Sequence, residues 1–360
     1  MNYFTIIQAY FFVNFIDARS MDQDDLETLE QITFNDIGDA WITHPNKANF
    51  EDFPFIASLT TRDNRHYCGG SLISDRHVLT AAHCEFVLDS DFVVLGDVKR
   101  PKEKRFAWDR SQEVGSKEAC KFSATEKFVH PKFKFSISPP TFDFQILKLN
   151  ESIFSRRFRP PQRKVNIFRP VSLPDIYLSF QGGRHDNDYR MMNFYLQNCQ
   201  VAGWGATKGY PVGEPGGVSD AGTTETKDKN DIYPETLMYQ DFDIMDKQQC
   251  LKTWATKQNY DTSKINQAMV CASGDNSSKT CYGDSGGPLV CDFRGGRILI
   301  GVVSWGEFGC VDSKFPSIFG DVRYVGDWVK SVLDGRVRNE KEKASGGKST
   351  KGPVFGTVFA

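Results

Sequence analysis

A chain of 360 residues, 39% hydrophobic and 25% charged, has the composition of an ordinary folded protein and enough length for a large core. Its net charge of -2 excludes a global field that would gather nucleic acid or an anionic membrane surface. Nine dispersed cysteines with no C-x-x-C pair argue against a zinc ribbon and for disulfides made in an oxidising compartment, with at least one thiol left over.

Residues 3–16 form an apolar run followed by Asp17-Ala18, which reads as a signal peptide over 1–18 and places the mature chain outside the cell. The run is short for a membrane span and no Lys or Arg precedes it, so an N-terminal anchor is the alternative. Residues 19–41 are acidic, with Asp24, Asp25, Glu27, Glu30 and Asp36, and too polar to build a core. From Phe53 to about Leu333, short apolar runs alternate with Gly, Pro, Asn and Asp. Ser71-Leu72-Ile73, Phe92 to Leu95, Phe144 to Leu147 and Arg297 to Val303 are predicted strands of an all-β unit. Gly182 to Asp188 and Tyr210 to Asn230 read as solvated loops. Val322, Val325, Val329 and Val332, with Trp328, recur at helical spacing and predict a terminal amphipathic helix. Residues 334–360 are charged and Gly/Ser-rich, the composition of a disordered tail.

Three segments carry chemistry. Leu79-Thr80-Ala81-Ala82-His83-Cys84 sets a histidine after an apolar strand. Phe142-Asp143-Phe144 sets an acid at the entry to another. Gly283-Asp284-Ser285-Gly286-Gly287-Pro288 sets a serine among glycines, where backbone must approach something closely. Each has an ordinary structural explanation when taken alone. Together they supply a nucleophile, an imidazole to take its proton and a carboxylate to hold the imidazole's tautomer.

In that order and with those flanks, the sequence resembles the chymotrypsin/trypsin-like serine proteases over about Ile42 to Leu333, so 42–333 is the expected protease domain. The resemblance implies two six-stranded antiparallel β-barrels with a C-terminal helix, and His83, Asp143 and Ser285 as catalytic residues. It implies an oxyanion hole from the amides of Gly283 and Ser285, where loss of one donor costs about 10²–10³ in rate. Cys68-Gly69-Gly70-Ser71-Leu72-Ile73 matches the strand before the histidine, and Gly203-Trp204-Gly205 the strand entering the second barrel. Ser304-Trp305-Gly306 matches the edge that pairs with substrate peptide. The implied disulfides are Cys68–Cys84, Cys199–Cys291, Cys250–Cys271 and Cys281–Cys310, leaving Cys120 over. No cofactor and no metal are implied. The expected partners are protein or peptide substrates and protein protease inhibitors, with neither nucleic acid nor membrane.

The sequence departs from the pattern in two places. Relatives are made as precursors whose new N-terminus inserts beside the acid preceding the serine, here Asp284, and the matching terminus is Ile42. Trp41 replaces the usual Arg or Lys at that junction, and Thr43-His44-Pro45 replaces a glycine-containing stretch, with Pro45 removing backbone freedom. Ser58 and His66 match groups that hold this acid in some precursors. A secreted, non-catalytic homologue acting by protein binding is therefore the rival reading. The other departure is Lys279 at the floor of the specificity pocket, which disfavours a trypsin-like preference. Either Lys279 receives an acidic substrate side chain, or Glu307, Asp312 or Asp275 neutralises it, or it turns to solvent. Ser317 in place of glycine narrows the pocket wall. Asn150-Glu151-Ser152 and Asn276-Ser277-Ser278 are glycosylation acceptors in a secreted chain. Asp97 opens a loop that binds calcium in some relatives, but no further ligands are recognisable.

Overall fold

The computed structural model describes residues 46–101, 120–134, 139–155, 168–174, 192–193, 195–207, 233–257, 260–274, 278–307, 310 and 314–337. The expected leader, the acidic segment, Trp41 and Ile42, both insertion loops, Asp275, Asn276, Asp312 and the tail from 338 onward lie outside these residues. In chain order the strands are β1 (Asn46–Lys47), β2 (Ile56–Thr60), β3 (His66–Leu72), β4 (His77–Thr80), β5 (Phe92–Leu95), β6 (Cys120–Phe122), β7 (Ala124–Val129) and β8 (Gln145–Leu149). They continue as β9 (Gln197–Gly203), β10 (Met238–Met245), β11 (Met269–Gly274), β12 (Pro288–Phe293), β13 (Gly296–Trp305) and β14 (Ser317–Asp321).

All sheet pairings are antiparallel. In the second half, β9, β10, β11, β14, β13 and β12 form a ring that the β10–β9 pairing closes, with β1 attached to β10. In the first half the order is β6-β5-β2-β3-β4-β8-β7, and among the described residues no ladder joins the ends. Only Ser123 separates β6 from β7. One strand turns a corner there, so that β6 pairs with β5 and β7 with β8. The expected pair of barrels is present, one closed by hydrogen bonds and the other, among the described residues, a half-barrel whose ends meet through this covalent corner.

A single apolar cluster runs through the first barrel into the second. Ile56, Leu59, Leu72, Val78, Leu79, Phe144 and Ile146 pack in continuity with Trp204, Leu299, Val302 and Val329. Fully burying one such aliphatic side chain contributes about 1.5–3 kcal/mol, so this layer is what fixes one barrel against the other. The Trp204 indole N–H also donates to the Val98 carbonyl at 3.0 Å, across the same junction.

Two α-helices complete the described chain. Helix α1 (Lys247–Ala255) starts at Asp246, whose carboxylate accepts from the Gln248 and Gln249 amides, and it buries Cys250 and Trp254. Helix α2 (Gly326–Leu333) buries Val329 and Val332. The predicted periodicity began at Val322, but residues 322–325 are turns. Arg323 is buried there and pairs with Asp321 in two contacts of 2.8 Å, which fixes the chain ahead of the helix. Past α2, Gly335 at φ +69° closes the helix, and Val337 still packs on the core. The bonds Cys68–Cys84, Cys199–Cys291, Cys250–Cys271 and Cys281–Cys310 are all formed, and Cys120 takes part in none of them. Among the described residues no helix is long and apolar enough to cross a membrane.

Candidate active site

His83 and Asp143 meet because their strands pair. β4 and β8 run side by side with Thr80 opposite Gln145. Three residues past Thr80, a short 3-10 turn at Ala82–Cys84 presents His83, and the Cys84–Cys68 bond pins that turn to β3. Two residues before Gln145, Asp143 sits in a tight turn in which the Phe144 amide donates to the Phe142 carbonyl at 2.8 Å. Phe142 is left-handed, at φ +51°, which costs a bulky side chain of order 1–3 kcal/mol. The Asp143 carboxylate accepts from His83 Nδ1 at 2.6 Å and from the His83 backbone amide at 2.9 Å. A third donor is the Ser304 hydroxyl, at 2.6 Å. Sequence reasoning placed Ser304 on the substrate edge and missed this contact, since nothing in Ser304-Trp305-Gly306 says which way the hydroxyl turns.

Asp143 is 2% exposed. Burial pushes its carboxyl upward, but the His83 charge and the hydrogen bonds outweigh burial and hold it below the usual carboxylate range. Burial likewise pushes His83 down, and the Asp143 charge and hydrogen bond outweigh that, raising it above the ordinary imidazole value. With Nδ1 committed to Asp143, the free face of the ring is Nε2.

Ser285 lies on the turn between Cys281 and β12. The Gly69 amide of β3 donates to the Ser285 carbonyl at 2.7 Å and the Gly286 amide to Val303 at 2.8 Å, so both barrels grip this turn. Gly286, at φ +77°, packs against the segment that leads to His83. A Cβ there would lie 2.2 Å from Thr80 Oγ1 and 3.1 Å from the Ala81 nitrogen. Among the described residues no hydrogen bond joins the Ser285 hydroxyl to His83. Such contacts are often long until substrate is bound. The amides of Asp284, Gly286 and Gly287 all donate within the chain, whereas those of Gly283 and Ser285 have no acceptor among the described residues. Those two donors are the ones expected for an oxyanion hole.

Asp284 is buried, and its two oxygens accept from the Gly205 amide at 2.8 Å and the Cys281 amide at 3.0 Å. Burial pushes its carboxyl up to about 6, against the two amide bonds. Its oxygens also explain Gly203-Trp204-Gly205, because a Cβ on either glycine would come within 2.1–2.2 Å of them. His66 does not hold this acid. Its Nε2 donates to the Gly283 carbonyl at 2.9 Å, and its Nδ1 therefore accepts from the Ser58 hydroxyl at 2.7 Å.

Lys279 is 4% exposed and lines a small cavity together with Asp284, Thr280, Gly203 and Gly205. The solvent-turned alternative is thereby corrected, because the side chain is buried. Glu307 is engaged by Lys257 at 2.5–2.6 Å. The Ser317 hydroxyl, expected on the pocket wall, accepts from the Thr280 amide and hydroxyl, each at 3.1 Å. Trp305 is half-buried against Trp254 and Tyr260, and a Cβ on Gly306 would meet nothing, as an open cleft edge requires. Cys68, His83 and Cys84 gather three ligand atoms, but the two sulfurs are bonded to each other.

Two antiparallel barrels, with a His–Asp pair on one and a glycine-flanked serine turn held between them, define the architecture of the serine-protease class. A profile of the trypsin family matches residues 42–210 and 184–329, and the chain belongs to that family. Among solved structures it is similar to neuropsin, a serine protease expressed in the limbic system of mouse brain. The TM-score is 0.55 at 24% identity, over 81% of this chain and 99% of that one.

Proposed function

We propose that the chain is a secreted serine endopeptidase that hydrolyses protein or peptide substrates through an acyl-enzyme on Ser285. The observation that carries this reading is the His83–Asp143 pair, in which a buried carboxylate is bonded to Nδ1 at 2.6 Å and Nε2 is left outside that bond. As Ser285 Oγ bonds to the scissile carbonyl carbon, His83 Nε2 takes the hydroxyl proton and Asp143 holds the imidazolium. The carbonyl oxygen becomes an oxyanion that accepts from the amides of Gly283 and Ser285. His83 then gives its proton to the leaving amine as the C–N bond breaks. Water repeats the sequence on the ester and restores the Ser285 hydroxyl.

In this reading residues 1–18 are removed on export, and cleavage between Trp41 and Ile42 frees the domain 42–333 from its acidic segment. The Ile42 ammonium then settles against Asp284, a buried carboxylate that accepts from two neutral backbone amides. Trp41 calls for an activating protease that does not require a basic residue. Buried Lys279 disfavours Arg or Lys before the scissile bond. Peptides bearing Asp, Glu, Phe or Arg at that position measure this, and a clear Arg preference ends it. Exposed Asn150 is a glycan acceptor, as is Asn276. Protein inhibitors that fill the cleft are the expected partners besides substrates.

A fluorophosphonate probe followed by peptide mapping tests the central claim. Labelling of Ser285 in secreted protein with Ile42 as its first residue is the expected result. Intact fold and correct terminus without labelling would establish the non-catalytic binding protein instead.

A further inference from the structure

His130, directly after β7, is 7% exposed and packed among rings. Its imidazole stacks on Phe142, with centroids 4.9 Å apart and planes 11° apart. Trp328 of α2 meets it edge-on at 4.9 Å and 69°, while Tyr324 reaches the Phe142 ring at 6.0 Å. The His130 amide donates to the Phe144 carbonyl at 2.9 Å. Its Nδ1 accepts from the Lys132 amide at 3.2 Å, so the ring proton sits on Nε2. His130 thus holds the residues on both sides of Asp143, the earlier one by its ring and the later one by its backbone.

Phe142 needs such a hold. At φ +51° it occupies a backbone region that only surrounding structure keeps populated, and that backbone sets the direction in which the Asp143 side chain leaves the chain. The geometry points to His130 as a positioning residue for Asp143. By stacking on Phe142 it keeps the left-handed turn that aims the carboxylate at His83, and through Trp328 it couples that aim to the docking of α2. The inference rests on the proteolytic reading for its consequence in turnover, but not for its structural content. An ordinary core histidine would contribute to stability alone.

Protein expressed from the whole chain and processed to Ile42 carries the test in H130A, H130L and H130F. Phenylalanine keeps a flat ring against Phe142, and leucine keeps volume without one. In H130A and H130L, kcat is expected to fall by about 10-fold to 100-fold with KM within about threefold, because a misaimed orienting group costs rate more than binding. H130F is expected to restore most of kcat. The low-field proton NMR signal of His83 Nδ1–H bonded to Asp143 supplies a readout independent of turnover. It is expected to shift or broaden in H130A and H130L and to return in H130F. Wild-type kcat and an unmoved signal in folded H130L would overturn the proposal, as would an H130F no better than H130L. If the wild-type protein hydrolyses nothing, the proteolytic reading fails and the NMR comparison still decides the role of His130.

Discussion

Ser304 is where one side chain changes the most for the least disturbance. Alanine there keeps the β13 backbone but removes one of three donors to Asp143. A hydrogen bond to a charged group is worth about 1.5–3 kcal/mol, so kcat is expected to drop by about 10-fold to 100-fold with KM little changed. Steady-state kinetics reads this, and a rise in KM alone would mean that Ser304 acts on substrate and not on Asp143. Burial also makes single residues sensitive to acid. His66 and His130 are each pushed down to about 4, chiefly by burial. Both stay neutral in the fold while the unfolded chain takes up protons near 6.5. Their contribution is therefore complete above pH 6.5 and lost as pH falls towards 4. Asp284, raised by burial to about 6, works in the opposite direction, losing stability as pH rises from 3.8 through 6. Two histidines outweigh one carboxyl, so these three groups together withdraw stability as pH falls from 6.5 to 4. Urea midpoints across that range test the sign, and a flat profile contradicts it.

At the scale of elements, the seat of the serine turn depends on the missing side chain at Gly286. Gly286→Ala combines a left-handed backbone with a Cβ 2.2 Å from Thr80 Oγ1, so a loss of about 2–5 kcal/mol is expected, with weaker labelling of Ser285. Thermal unfolding and the fluorophosphonate probe measure the two effects separately. The same turn illustrates what was legible in the sequence. Gly283 to Pro288 was readable because local backbone demands leave a local signature, a glycine wherever another element comes too close, and Thr80 to Cys84 because its histidine directly follows an apolar strand. The disulfides followed from the resemblance and not from spacing. Gly203 and Gly205 were visible as a motif, but their reason was not, since the carboxylate that excludes a Cβ lies about eighty positions away. His130 was hidden for the same cause. Its stacking partner is twelve residues on and its edge-on partner lies in the last helix, and a ring contact at that range leaves no periodicity. The start of α2 was misplaced because valines at helical spacing also fit two successive turns when Arg323 is pinned by Asp321.

The two halves of the molecule are not equally fastened. A ring of six strands and three disulfides secure the half that carries Ser285. The half carrying His83 and Asp143 has one disulfide and, among the described residues, no ladder between its end strands β6 and β7. Amide protons of β5, β6 and β7 should therefore exchange with deuterium before those of β11, β13 and β14, which mass spectrometry resolves peptide by peptide. Uniform exchange across both halves would refute the asymmetry. Warming should then silence the molecule well below its main calorimetric transition, because the half that loosens first carries the proton acceptor. Cooling within that interval should bring turnover back, since the tighter half is still folded and serves as a template on which its neighbour reassembles.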